Sequence, residues 1–136
     1  ALMSRGLGDV YKRQSVHTVS RLKEVEKIDL LYKNHEIFVQ INIDNDPKKS
    51  GINPNDVQKF FEKFENYSFF PNGIMCIPDI NSDPRESFKN MNDINQKLLD
   101  NYKQYSGELS MGMSADYKIA LDYGATIIRV GSKIFK

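Results

Sequence analysis

An α/β fold with parallel strands is what this sequence predicts, on three observations. From Ser15 onward, short apolar runs of β type alternate with longer segments of helical period, an order that makes neighbouring strands parallel and joins them by right-handed crossovers. The early strand-plus-helix units repeat at about 30 residues, close to the spacing of a (β/α)₈ barrel of roughly 250 residues. No glycine-rich dinucleotide loop follows the first strand. Periodicity alone accommodates either an open doubly wound sheet or part of a barrel, and the second and third observations favour the barrel. Five units cannot close one, so the expectation is a partial (β/α)₈ TIM barrel.

The first strand is expected at 15–19. Ser20 then offers an N-cap to a helix whose apolar positions Leu22, Val25, Ile28 and Leu31 step by threes beneath a surface rich in Lys and Glu. The second strand, 37–43, opens almost continuously apolar, the pattern of a strand covered on both faces. Asn53 followed by Pro54 reads as an N-cap with proline at the first helical position, leading into Val57, Phe60, Phe61 and Phe64. After a third strand at 70–77, Asp83-Pro84-Arg85-Glu86 repeats that device with an acidic third position, ahead of Phe88, Met91, Ile94 and Leu98. A fourth strand at 109–113 runs into Ser114, which opens a short helix through Ala120 and Tyr123, stopped by Gly124. The fifth strand is expected at 126–130.

Residues 1–14 fit none of this. They lack either period, and the run from Gly8 to Gln14 resembles translated sequencing-adapter sequence. They also lack the apolar stretch of about 7–15 residues that a signal peptide needs. The expected division is a non-native segment 1–14 followed by one barrel portion, 15–136.

Composition narrows the function classes. The chain has 136 residues, of which 40% are hydrophobic and 27% charged, suiting one soluble domain. Its 19 basic and 18 acidic side chains leave a net charge of +1, which offers no footprint for nucleic acid or an anionic membrane. No apolar run approaches the roughly 18 residues of a membrane span. Cys76 is the single cysteine, so neither an internal disulfide nor a cysteine metal cage is available, and a reducing, cytoplasmic setting is the simplest expectation. Within Ile74-Met75-Cys76-Ile77 it reads as a small core residue. His17 and His35, without an acidic cluster, do not suggest a metal site.

Ligands of parallel α/β folds meet the carboxyl ends of the strands, which directs attention to Asn42, Met75 to Pro78, Ser110 to Ser114 and Arg129 to Ser132. Ser110-Met111-Gly112-Met113-Ser114 leaves a strand for a helix start. Gly112 allows close approach, and Ser114 adds a hydroxyl to exposed N–H groups, or is simply a cap. Arg129 needs a fixed acceptor so close to an apolar strand, either a ligand anion or a carboxylate. Gly131 and Ser132 would place N–H groups and a hydroxyl beside it. Asn42 either donates to a ligand ring or caps its turn. Met75 and Pro78 read as packing, and the lysines of Lys48-Lys49-Ser50-Gly51 as solvated. No general acid/base pair and no Ser-His-Asp arrangement is readable.

These residues carry a resemblance. Ser110-Met111-Gly112-Met113-Ser114-Ala115-Asp116, then Ala120, Gly124-Ala125-Thr126, Arg129-Val130-Gly131-Ser132 and Ile134-Phe135 resemble the C-terminal signature of the pyridoxal phosphate homeostasis proteins, the YggS/PROSC type. Upstream, Val16-His17-Thr18-Val19, Gln40-Ile41-Asn42-Ile43, Lys49-Ser50-Gly51 and Gly73-Ile74-Met75-Cys76-Ile77-Pro78 fall in that family's order.

The resemblance implies a fold-type III barrel of the alanine racemase N-terminal-domain type that binds pyridoxal 5′-phosphate (PLP), with strands 4–8 present and strands 1–3 missing. It implies that Ser114 and the Gly131–Ser132 backbone hold the phosphate, and that Arg129 faces the pyridine nitrogen. Met113, Asn42 and Met75 would complete the cofactor's surroundings. An arginine there keeps the nitrogen unprotonated and the ring a poorer electron sink. The family is taken to carry and buffer PLP without established turnover, with PLP-dependent apoenzymes as candidate partners. Its Schiff-base lysine lies on the first strand, so no lysine here takes that role. Ser20 stands where the family often has Asp, and Ser132 where it often has Thr. The rival readings are a fold-type III enzyme such as an amino-acid racemase, and a generic phosphate-ligand barrel fragment.

Overall fold

The computed structural model describes residues 16–31, 36–131 and 133–135, with side chains at all of these except 16, 17, 27–31 and 133–135. Four strands, β1 (Val16–Val19), β2 (Glu36–Gln40), β3 (Gly73–Met75) and β4 (Glu108–Ser110), form one sheet in the order β1-β2-β3-β4. Every neighbouring pair is parallel. Between them run α1 (Leu22–Leu31), α2 (Val57–Glu62) and α3 (Pro84–Asn101), with α4 (Tyr117–Asp122) after β4. The alternation expected from the sequence is therefore the observed order.

Side-chain alternation along the strands gives the sheet two faces. Val19, Ile37, Val39, Ile74 and Leu109 point to the helices and join a buried core with Val25, Phe61, Phe64, Phe88, Met91 and Leu98. On the opposite face Phe38, Met75 and Ile127 form a second buried cluster. This two-sided burial is what the apolar start of the second strand anticipates.

The strands are shorter than the apolar runs that announce them. The second ends at Gln40, after which Ile41 bridges to Ile52 and the chain turns through Asn42 to Asn45. Phe70, expected in the third strand, packs its ring against Phe61, Phe64 and Tyr102. Apolar residues were there for the helix layer, not for strand pairing.

Helix ends match their signals in part. Asn53 accepts from the Asn55 N–H at 2.9 Å and Asp83 from the Arg85 N–H at 3.0 Å, each with proline opening the helical turn. The second helix is broken into a 3₁₀ turn at Pro54–Asp56, α2 itself and a further 3₁₀ turn at Lys63–Asn66. Ser20 does not cap α1. Its hydroxyl donates to Gln40 Oε1 at 3.2 Å, tying the end of β1 to the end of β2, while its own N–H donates to Glu24.

The final strand departs most from expectation. Only Ile127 joins the parallel sheet, bridging to Ser110, with the Thr126 N–H donating to the Leu109 carbonyl at 2.8 Å. The chain then forms β5 (Ile128–Val130), antiparallel to β6 (Lys133–Phe135), a pairing the alternating pattern does not predict. Gly131 holds φ +62°, a value that lets the backbone reverse where a side chain would resist.

Candidate functional site

The carboxyl ends of β3, β4 and β5 lie together. Ser114 Oγ accepts a hydrogen bond from the Gly131 N–H at 2.9 Å, across 17 residues of chain. Two residues earlier, the Gly112 carbonyl accepts from the Arg129 N–H at 2.9 Å. These bonds stitch the loop after β4 to the terminal hairpin. Gly112 permits the approach: at φ +105° a Cβ there would stand 2.7 Å from Ala120 Cβ and 3.3 Å from Ile128 Cγ2.

Ser114 is not the cap of the last helix, contrary to its reading in the sequence. The chain turns through Ser114–Asp116 and α4 begins only at Tyr117. Asp116 stands at the cap position, but its carboxylate turns back to accept from the Met113 N–H at 2.8 Å. Ser114 is thereby left exposed at the strand tips, directed to Gly131 rather than to α4.

Arg129 is half-buried, and its N–H is bound to Gly112. Among the described residues, no carboxylate lies within ion-pair distance of it. Its charge is felt at Cys76, where the thiol pKa is raised first by burial and then by Asp44 and Asp116, with Arg129 and Lys49 opposing. Four charged groups thus act on the thiol just beyond the end of β3. Cys76 itself is 2% exposed within the core, as expected for a packing residue.

Of the remaining expected residues, Met113 is exposed beside Ser114. Met75 is packed against Phe38 and Ile127 on the inner face. Asn42 is committed to its own loop: its amide donates to the carbonyls of Asp46 and Lys49, and its Oδ1 accepts from the Asp46 N–H. Ser132 lies outside the described residues. The tips therefore bring together Ser114, Met113, Gly131 and Arg129, with Asn42 and Met75 set apart by bonding and burial.

Sequence reasoning passed over Asp44. Its Oδ2 accepts from Lys49 Nζ at 3.0 Å and from the Asp79 N–H at 2.6 Å, and its Oδ1 from Ser87 Oγ at 3.4 Å. One carboxylate thus locks the loops after β2 and β3 to the start of α3. The run Asn42-Ile43-Asp44-Asn45-Asp46 shows only a turn, because partners 35 and 43 residues away leave no local signal. No group of His, Cys, Asp or Glu fit for a metal is found among the described residues.

With this geometry, comparison with known proteins is informative. The description of the alanine racemase N-terminal domain matches residues 3–136. The chain belongs to that family. The match takes in residues 3–14, which lie within the segment set apart on sequence grounds. Among curated relatives in the family's reach are the pyridoxal phosphate homeostasis proteins of Vibrio cholerae (35% identical, covering 88% of this chain and 54% of the relative) and Aquifex aeolicus (29%, 88% and 56%). The human protein of the same name is 29% identical over 88% of this chain and 49% of its own length. The chain spans about half the length of the curated relatives it matches.

Solved structures agree on the fold. PipY of Synechococcus elongatus without PLP superposes with a TM-score of 0.76 at 26% identity, covering 85% of this chain and 58% of PipY. PipY with PLP bound gives 0.71 at 24%, covering 85% and 57%. Lysine/ornithine decarboxylase of Vibrio vulnificus shares the fold more distantly, at 0.59 and 18%, covering 72% of this chain and 27% of the enzyme.

Proposed function

We propose that this chain binds pyridoxal 5′-phosphate and belongs to a non-catalytic carrier or buffer of that cofactor in its homeostasis. Support comes from the homeostasis proteins it resembles, and from PipY, which has a PLP-bound form. The observation that carries the reading is the 2.9 Å bond between Ser114 Oγ and the Gly131 N–H. It brings a hydroxyl and a main-chain donor from two different strand ends to one point.

That donor set suits a phosphate. A phosphate oxygen can replace the mutual bond by accepting from both groups, and a third donor follows from Ser132, next in the chain. Arg129 stands two residues before Gly131. Its guanidinium remains charged at any physiological pH and donates only, so opposite a pyridine nitrogen it leaves that nitrogen as an unprotonated acceptor. Met113 would flank the ligand, Met75 would underlie it as part of the inner core, and Asn42 would shape the neighbouring loop. PLP when bound supplies an electrophilic aldehyde on an aromatic ring. The chain's own residues bind and orient it.

We also infer that β1 to β4 and residues 126–130 correspond to the fourth to eighth strands of a (β/α)₈ barrel. The consecutive parallel order and the half-length coverage of the relatives support that assignment.

Equilibrium dialysis of the chain against PLP and against pyridoxal, which lacks the phosphate, tests the reading. PLP should bind at least about tenfold more tightly, the scale of one or two charge-assisted hydrogen bonds. Ser114→Ala should weaken PLP by about tenfold and leave pyridoxal unchanged. Equal affinity for the two ligands would remove the phosphate cradle and the proposal with it.

A further inference from the structure

Between the loop after β3 and the loop after β4 lies an open cleft of about 530 Å³. Its walls are mainly apolar: Ile77, Pro78, Ile80, Pro84 and Met113. Three of these are conspicuously exposed, Ile77 at 42%, Met113 at 46% and Ile80 at 93%. Isolated exposed aliphatic side chains are ordinary, but these three line one concave surface, where a single partner side chain can touch all of them.

The patch stands on ordered backbone. The Asp79 N–H is held by Asp44 at 2.6 Å, the Asn81 N–H by Asp79 Oδ1 at 2.9 Å, and both the N–H and the hydroxyl of Ser82 by the Asp79 carbonyl. Ile80 is therefore displayed at the tip of a turn whose ordering cost is already met by folding, which lowers the entropy lost when a partner binds. On the opposite wall the Met113 N–H is fixed by Asp116. A flexible thioether there adapts to varied apolar surfaces.

Charge selects the partner. The lining contains two carboxylates, Asp79 and Asp116, and no cationic side chain. Each carboxylate spends Oδ1 on a backbone N–H of its own turn.

We propose that this cleft docks a segment of another protein that presents an aliphatic side chain flanked by lysine or arginine. The aliphatic group would cover Ile77, Ile80 and Met113, and the cationic group would meet Asp79 and Asp116. The cleft includes Ser114, so such a partner would sit directly beside the strand-tip donors. The cleft shares Met113 and Ser114 with the proposed PLP site, so the peptide measurements are made on the chain without PLP, where failure of either reading leaves the other standing.

Fluorescence anisotropy with two labelled twelve-residue peptides tests it, one alternating Leu with Lys and one alternating Leu with Glu. The Leu/Lys peptide should bind at least tenfold more tightly than the Leu/Glu peptide. Ile80→Ser, at a side chain that supports no packing, should weaken the Leu/Lys peptide at least fivefold. The pair Asp79→Asn and Asp116→Asn keeps the Oδ1 acceptors of both turns and should reduce the preference for Lys over Glu below threefold. Undiminished binding by Ile80→Ser, an unchanged preference in the double variant, or no binding to wild type would each overturn the proposal. So would a concentration-dependent dimer abolished by Ile80→Ser, which would make the occupant a second copy of this chain.

Discussion

Burial sets the behaviour of two weakly acidic side chains in the core, a thiol and a phenol. The Cys76 thiol is raised above its ordinary value of 9.0 by burial first, then by Asp44 and Asp116. The Tyr105 phenol is raised above 10.0 by burial alone. Both keep their protons in the folded chain at pH values where the unfolded chain has begun to lose them. The folded state then binds more protons than the unfolded state, so stability must fall as pH rises. That contribution is complete below about pH 9 and drains away above it, first through Cys76 and then Tyr105, at up to about 1.4 kcal/mol per pH unit for each group. Urea midpoints should hold steady to about pH 8.5 and drop by pH 10.5, with Cys76→Ala delaying the onset. A midpoint that stays level over that range would contradict the burial argument.

At the scale of elements, the signals that worked were those satisfied within a few residues. Asp83 precedes Pro84 and accepts from the Arg85 N–H, and the long α3 follows. Asp83→Ala should cost about 1 kcal/mol and lower the melting temperature by a few degrees, read by circular dichroism. Gly124, at φ +95°, ends α4 where the sequence said it would. The signals that failed were overruled from a distance. Ser20 is a good cap by type, but its hydroxyl is turned to the end of β2, where it donates to Gln40 Oε1 at 3.2 Å. Ser114 is likewise claimed by Gly131, and Asp116 by Met113. Strand lengths were overread for the same reason, since Phe70 is apolar to meet Phe61 and Tyr102 rather than to pair in the sheet.

For the molecule as a whole, β1 is the outermost of the described strands of the parallel sheet. Among the described residues β1 pairs only with β2, and β6 only with β5. Unpaired strand edges recruit other strands, so static light scattering should show association growing with protein concentration. This association should be indifferent to Ile80→Ser, which separates it from contact through the apolar cleft. A strictly monomeric chain at high concentration would show that the edges are protected.

Alternating periods of two and 3.6 residues were enough to predict parallel strands joined by helices, because hydrophobic pattern, caps and turn residues act over a few positions. The candidate site was half legible. Ser114, Gly131 and Arg129 could be named as chemistry at strand ends, but their convergence depends on Gly112 admitting α4 and the hairpin to the tip of β4. Asp44's bracing of two loops, the commitment of Asn42 to its own turn, and the reversal at Gly131 into an antiparallel pair all arise from three-dimensional neighbours. A linear pattern records which side chains can bond. Folding chooses which partner each receives, since one hydroxyl or carboxylate oxygen has few bonds to give and the packed chain offers several competitors.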